Sequence, residues 1–152
     1  MRRPFLALLT TVLLGVTACG SAAADGGSTP APTPYPTPPG GLGHRPSSPV
    51  TITLLAPTSG ETVHGTSVLV RVSVTGGIVT QTTSADITPT KGHVHLYLNN
   101  QLIYMAYTLQ QMVTGLHPGV EYSMYAEFVA QDHFPFSPRD VTPTIFFTVA
   151  PA

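Results

Sequence analysis

The chain has 152 residues, 42% of them apolar and 9% charged, with a formal net charge of -1 and one cysteine. One cysteine closes no disulfide within the chain, and six basic against seven acidic side chains leave no clustered lysine and arginine for a phosphate backbone, which excludes a nucleic-acid binder. Low charge and a mean hydropathy of +0.21 argue against a chain disordered throughout.

The first residues read as a targeting segment. Arg2 and Arg3 supply positive charge, and residues 5–16 form a short apolar run. A spanning helix takes about 20 apolar residues, so this run suits the core of a signal peptide over residues 1–18. The ending Val16-Thr17-Ala18-Cys19 resembles a bacterial lipobox, in which small residues precede a cysteine that is lipid-modified on sulfur and becomes the new N-terminus. The resemblance implies a palmitate-type anchor on Cys19, a lipoprotein held at the cell membrane on its extracytoplasmic side, and the loss of Arg2 and Arg3. Four basic side chains then face seven acidic ones, a net charge of -3. The alternative is an ordinary secretory signal that contains a cysteine. Arg2-Arg3-Pro4-Phe5-Leu6 also resembles the core of a twin-arginine export signal, but the match is short and the general secretion route is the expectation.

Residues 19–49 change composition to proline, glycine, serine, threonine and alanine, with proline at alternate positions from Pro30 to Pro38. Such a run holds an extended polyproline II shape of about 3.1 Å per residue and has too little apolar surface to pack. It reads as a tether that lifts the following domain off the membrane. A proline-rich ligand for an adaptor module is the rival reading, disfavoured outside a bacterial cell membrane.

Residues 50–150 form one domain of ordinary size, with short alternating runs between turn clusters and little helical periodicity, the pattern of an all-β sandwich. A first strand covers about 50–55 and is closed by Pro57-Thr58-Ser59-Gly60. In residues 67–75, Val68, Val70, Val72 and Val74 share one face, and Gly76-Gly77 ends the run. A threonine-rich loop with a short strand near Ile78 and Val79 leads to residues 92–99, where Val94, Leu96 and Leu98 alternate with His93, His95 and Tyr97. Asn99-Asn100 makes a two-residue turn into a hairpin partner over 102–107. Further strands are expected over 109–113, up to about residue 130, and over 144–149 after a proline-rich loop.

Leu116-His117-Pro118-Gly119-Val120-Glu121-Tyr122 resembles the corner before the sixth strand of fibronectin type III and related immunoglobulin-like domains. The resemblance implies an immunoglobulin-like sandwich of about seven strands. Leu116, Pro118 and Gly119 would shape the corner, and the Tyr122 hydroxyl would bond back to the turn backbone. The buried tryptophan usual in such domains is absent. The longer run from Gly92 to Asn99, with Asp132-His133-Phe134-Pro135 later, is similar to immunoglobulin-like domains of secreted bacterial proteins.

In that topology the strand of His93 and His95 neighbours the strand ending near residue 130. His133 should therefore converge on His93 and His95, with Glu127 on the same outward face and Met105 on the adjacent hairpin. Imidazoles with a carboxylate suit zinc or copper(II), and a thioether shifts the preference toward copper(I). A blue-copper centre needs a thiolate, and Cys19 is committed to the anchor. The competing reading is a solvated strand face carrying histidine as a polar, sheet-compatible side chain. Met124 is expected in the core. His64 and His117 belong to the opposite pole and His44 to the tether.

No Gly-x-Ser-x-Gly elbow, phosphate-cradling loop or His-Glu-x-x-His occurs, and Ser137 near His133 lacks an oriented triad, so an enzyme is not expected. Two functional classes remain. One is a membrane-tethered recognition or spacer module meeting an envelope protein or glycan through strand edges or Tyr97, Tyr104 and Tyr125. The other is an envelope metal binder.

Overall fold

A computed structural model of the protein describes residues 44–151. The expected signal segment, Cys19 and the expected tether up to residue 43 lie outside the described residues.

Among the described residues the chain forms ten strands and no helix: β1 (Thr51–Ala56), β2 (Thr62–Val63), β3 (Ser67–Thr75), β4 (Ile78–Val79), β5 (Lys91–Leu98), β6 (Gln101–Ala106), β7 (Gln110–Thr114), β8 (Glu121–Ala130), β9 (Pro135–Val141) and β10 (Ile145–Val149). Strands β1, β3 and β7 make a three-stranded antiparallel sheet. The other seven make a second sheet in the order β2, β10, β8, β5, β4, with β6 alongside β5 and β9 alongside β8. The count exceeds the seven strands expected because β2 and β4 are two-residue pairings and because β9 occupies the stretch read as a proline-rich loop. Prolines are tolerated there since β9 lies on an edge, and its register slips between Phe128 and Val129, so few ladder bonds are asked of it.

The two sheets share one core. Ile52, Val68, Val70, Val72 and Val113 from the small sheet join Val94, Leu96, Met124, Ala126, Phe128, Phe147 and Val149 from the large one. Burying each of the larger side chains contributes about 1.5–3 kcal/mol. The alternation that assigned Val94, Leu96 and Met124 to this core therefore reads correctly.

Local chemistry sets the corners. Asn99 and Asn100 have φ of 49° and 63°, the left-handed pair that a tight hairpin requires. At the other corner the His117 N–H donates to the Tyr122 hydroxyl at 2.9 Å, and Gly119, at φ 76°, donates its N–H to Val149 O at 2.9 Å. Leu116 is buried beneath this turn. Gly92 lies tight against β8: a Cβ there would stand 1.9 Å from Val129 O.

The domain has two poles. Tether residues 44–49, the start of β5 and the end of β8 lie at one, while the Asn99-Asn100 turn, the start of β8 and the end of β10 lie at the other.

Candidate functional site

The outward face of β5 and β8 is covered rather than solvated. His93, His95 and Glu127 are 0%, 1% and 0% exposed, and Tyr97 and Tyr125 are buried too, stacked on each other at 4.5 Å and 8°. This corrects the reading of a water-facing histidine strand and of Tyr97 and Tyr125 as exposed contact residues. Tyr104 packs half-buried against the core. The cover comes from segments with little regular alternation: the loop after β4, the turn between β8 and β9, and β9 itself.

Register places the site. His95 pairs with Glu127 across β5 and β8, and with Met105 across β5 and β6, so the three share one face. His133 arrives from the turn after β8, which is closed by His133 N–H donating to Ala130 O at 2.9 Å and Ala130 N–H donating to Phe134 O at 3.0 Å. His133 sits at φ 65°, a conformation uncommon for a residue with a Cβ and held by its surroundings. Its ring stacks on His93 at 4.3 Å and 19°, and lies 5.7 Å and 15° from His95. His133 Nδ1 stands 3.4 Å from His95 Nε2. The three imidazoles expected to converge are therefore together.

Their bonding differs from one ring to the next. His93 Nδ1 lies 2.6 Å from Thr80 O, which fixes a proton on that nitrogen as donor, and its Nε2 lies 3.3 Å from Gln131 O. The edge of Tyr107 closes on the same ring at 5.1 Å and 89°. His93 thus ties two loops to the sheet, and neither of its nitrogens faces His95 or His133.

Burial, with His133 and His93 adding to it, holds the His95 pKa down from 6.5 to about 3. Burial and His93 also lower that of His133, against the opposing pull of Asp132. Both rings are uncharged at neutral pH, the state in which imidazole binds a metal.

Glu127 shares the face but not the cluster. Its oxygens accept from Arg139 Nε at 2.7 Å and Arg139 Nη2 at 2.8 Å, and the Tyr97 hydroxyl donates to Oε2 at 3.3 Å. Met105 is 49% exposed on its edge strand. His64 and His117 are exposed at the far pole, and His44 is exposed at the edge of the tether. Among the described residues no three His, Cys, Asp or Glu side chains surround a common point for an ion. His95 Nε2 and His133 Nδ1 supply two nitrogens 3.4 Å apart.

Two arginines were missed by the sequence reading. Arg139 lies in the stretch taken for a loop. Arg45 lies in the stretch taken for tether, yet its side chain is 9% exposed and forms a two-pronged ion pair with Asp132 at 2.6 and 2.8 Å. Arg45 also donates to Pro135 O at 2.9 Å and Phe134 O at 3.1 Å. It therefore clasps both sides of the turn that carries His133. For Arg45 the one available signal was a lone charged residue in an otherwise uncharged segment. No family model, curated protein or solved structure matches this chain.

Proposed function

We propose that the chain is a lipid-anchored extracytoplasmic protein whose non-catalytic, immunoglobulin-like sandwich holds a d-block metal at its tether-side pole. The observation that carries this is the approach of two uncharged imidazole nitrogens, His95 Nε2 and His133 Nδ1, to 3.4 Å. Two nitrogens each 2.0–2.1 Å from one tetrahedral ion stand about 3.3 Å apart. Binding requires that the ring donating in the present contact carry its proton on its other nitrogen and that both rings turn so that their lone pairs meet at one ion. His93 then supports His133 by stacking, and Glu127 holds Arg139 rather than the ion. Met105, in register with His95, is the side chain on this face that offers a soft third donor, and it favours copper(I) over zinc. The immunoglobulin-like assignment is supported by the Tyr122 corner bond and by the adjacency of β5 and β8.

The test is to titrate the full chain with zinc, copper(II) and copper(I) while following thermal stability, since a ligand that binds only the folded state raises it. Stabilisation lost in His133→Ala and retained in His64→Ala is expected. Equal stabilisation of both variants, or none of the unaltered chain, rules the site out.

A second reading has its own observation. Both His93 nitrogens face main-chain carbonyls, so the cluster also acts as polar stitching for the pole. Under this reading the domain is a tethered spacer or recognition module, and its histidines serve stability alone.

A further inference from the structure

The pole away from the tether carries a second feature that the metal reading does not use. On the outward face of the large sheet, Asn99, Asn100, Glu121, Ser123 and Phe146 line a concavity of about 230 Å³ open to solvent. Register explains its shape. Phe146 on β10 pairs with Ser123 on β8, and both point away from the core, because their neighbours Phe147, Tyr122 and Met124 point into it. Ser123 is the floor, Phe146 one wall and the hairpin turn the other.

The wall chemistry is mixed in a specific way. Phe146 is 41% exposed, although the adjacent Phe147 is 1% exposed. Asn99 Oδ1 accepts from Ser123 N–H at 3.0 Å and from its hydroxyl at 3.4 Å, which fixes the amide at the lining with its oxygen engaged and its NH2 as the donor end. Glu121 is exposed at the rim, and its carboxylate can accept from two neighbouring hydroxyls.

We propose that this concavity binds a neutral pyranoside, the sugar ring lying on Phe146 and its hydroxyls meeting Asn99, Ser123 and Glu121. The C–H face of a pyranose presents partial positive charge to the negative face of an aromatic ring. Its hydroxyls both donate and accept, which matches an amide donor, a hydroxyl and a carboxylate set around one ring. Other ligands fit less well. An anion meets Glu121 and no lysine or arginine among the lining residues. A peptide strand finds no edge to extend, because β8 is paired on both sides here and β10 lies between β8 and β2. A shallow site for so small a ligand binds on the order of 1 mM.

The test uses the isotopically labelled full chain in detergent micelles, titrated with methyl N-acetylglucosaminide, methyl glucoside and glucuronate while backbone amide shifts are followed. Saturable shifts confined to Asn99, Asn100, Glu121, Ser123 and Phe146 are expected with the neutral sugars, and at least tenfold weaker binding with glucuronate. A preference for the N-acetylated probe points to amino-sugar polymers such as cell-wall glycan, and a preference for the glucoside to hexose polymers. Phe146→Ala should abolish saturation. Glu121→Gln should weaken binding several-fold while leaving the rest of the spectrum unchanged. Shifts scattered over the surface, no saturation with either neutral sugar, or unchanged binding by Phe146→Ala overturns the proposal. None of these outcomes depends on the histidine cluster.

Discussion

Replacing Arg139 with alanine isolates the strongest electrostatic commitment on the covered face. Glu127 has no exposed side-chain surface and receives two charge-assisted bonds from Arg139, at 2.7 and 2.8 Å. Removing the guanidinium leaves the carboxylate buried, with its main counter-charge gone. Breaking a buried pair from one side costs about 3–5 kcal/mol. Arg139 is itself one-third exposed, so solvent screens part of the attraction and water can enter the vacated volume, which places the loss near the lower end, about 3 kcal/mol. For a domain of about 100 residues, that lowers the melting temperature by roughly 12–20 °C. The companion variant decides the cause. Glu127→Gln in the Arg139→Ala background removes the stranded charge and should recover about 1–2 kcal/mol, because a neutral amide is cheaper to bury. Urea denaturation of the three proteins at pH 7 measures both quantities. A loss below about 1 kcal/mol for Arg139→Ala, or no recovery in the double variant, refutes the reasoning.

Three further outcomes follow from the same geometry. The folded pKa of His95 lies below its unfolded value, so the unfolded chain binds the extra proton; stability is whole above pH 6.5 and is lost progressively down to about pH 3. Acidification from pH 6.5 to 5 costs about 2 kcal/mol through this group, and His95→Gln should flatten that slope in denaturation curves taken across the interval. Arg45→Ala should destabilise by about 2 kcal/mol at neutral pH, between the values for surface and buried pairs. Burial raises the Asp132 pKa, but the Arg45 bonds and the Phe134 N–H outweigh it and hold it below 3.8, so this stabilisation is present above 3.8 and fades as pH falls through the lower folded value. Convergence of Arg45→Ala with the unaltered protein in acid checks the sign. Gly92→Ala should prevent folding or part β5 from β8, because its Cβ would overlap the Val129 carbonyl; a soluble variant with the native amide spectrum contradicts that.

Period-two alternation made β1, β3, β5 and β8 legible, because each buries a regular apolar face in one core. The Asn99-Asn100 turn was legible from residue chemistry, and the Tyr122 corner from the resemblance of residues 116–122 to the corner of fibronectin type III domains. What escaped was the second layer of burial. His93, His95 and Glu127 look like the wet side of a half-buried strand, since polarity marks a face as outward but not as uncovered. Their cover is made by Arg45, Arg139 and the Thr80 loop, whose partners lie far away in sequence and follow no period. The convergence of His133 could be inferred from strand order. The diversion of Glu127 to Arg139 could not, because β9 carries two prolines and reads as a loop.

Arg45 gives the tether a fixed footing. A pull from the N-terminal side of the domain meets the clasp on Asp132, Phe134 and Pro135 before it reaches β1, so the first side-chain bonds loaded are those shaping the His133 turn. Under the proposed lipid anchor, the imidazole cluster would sit at the joint where tension between membrane and domain is transmitted.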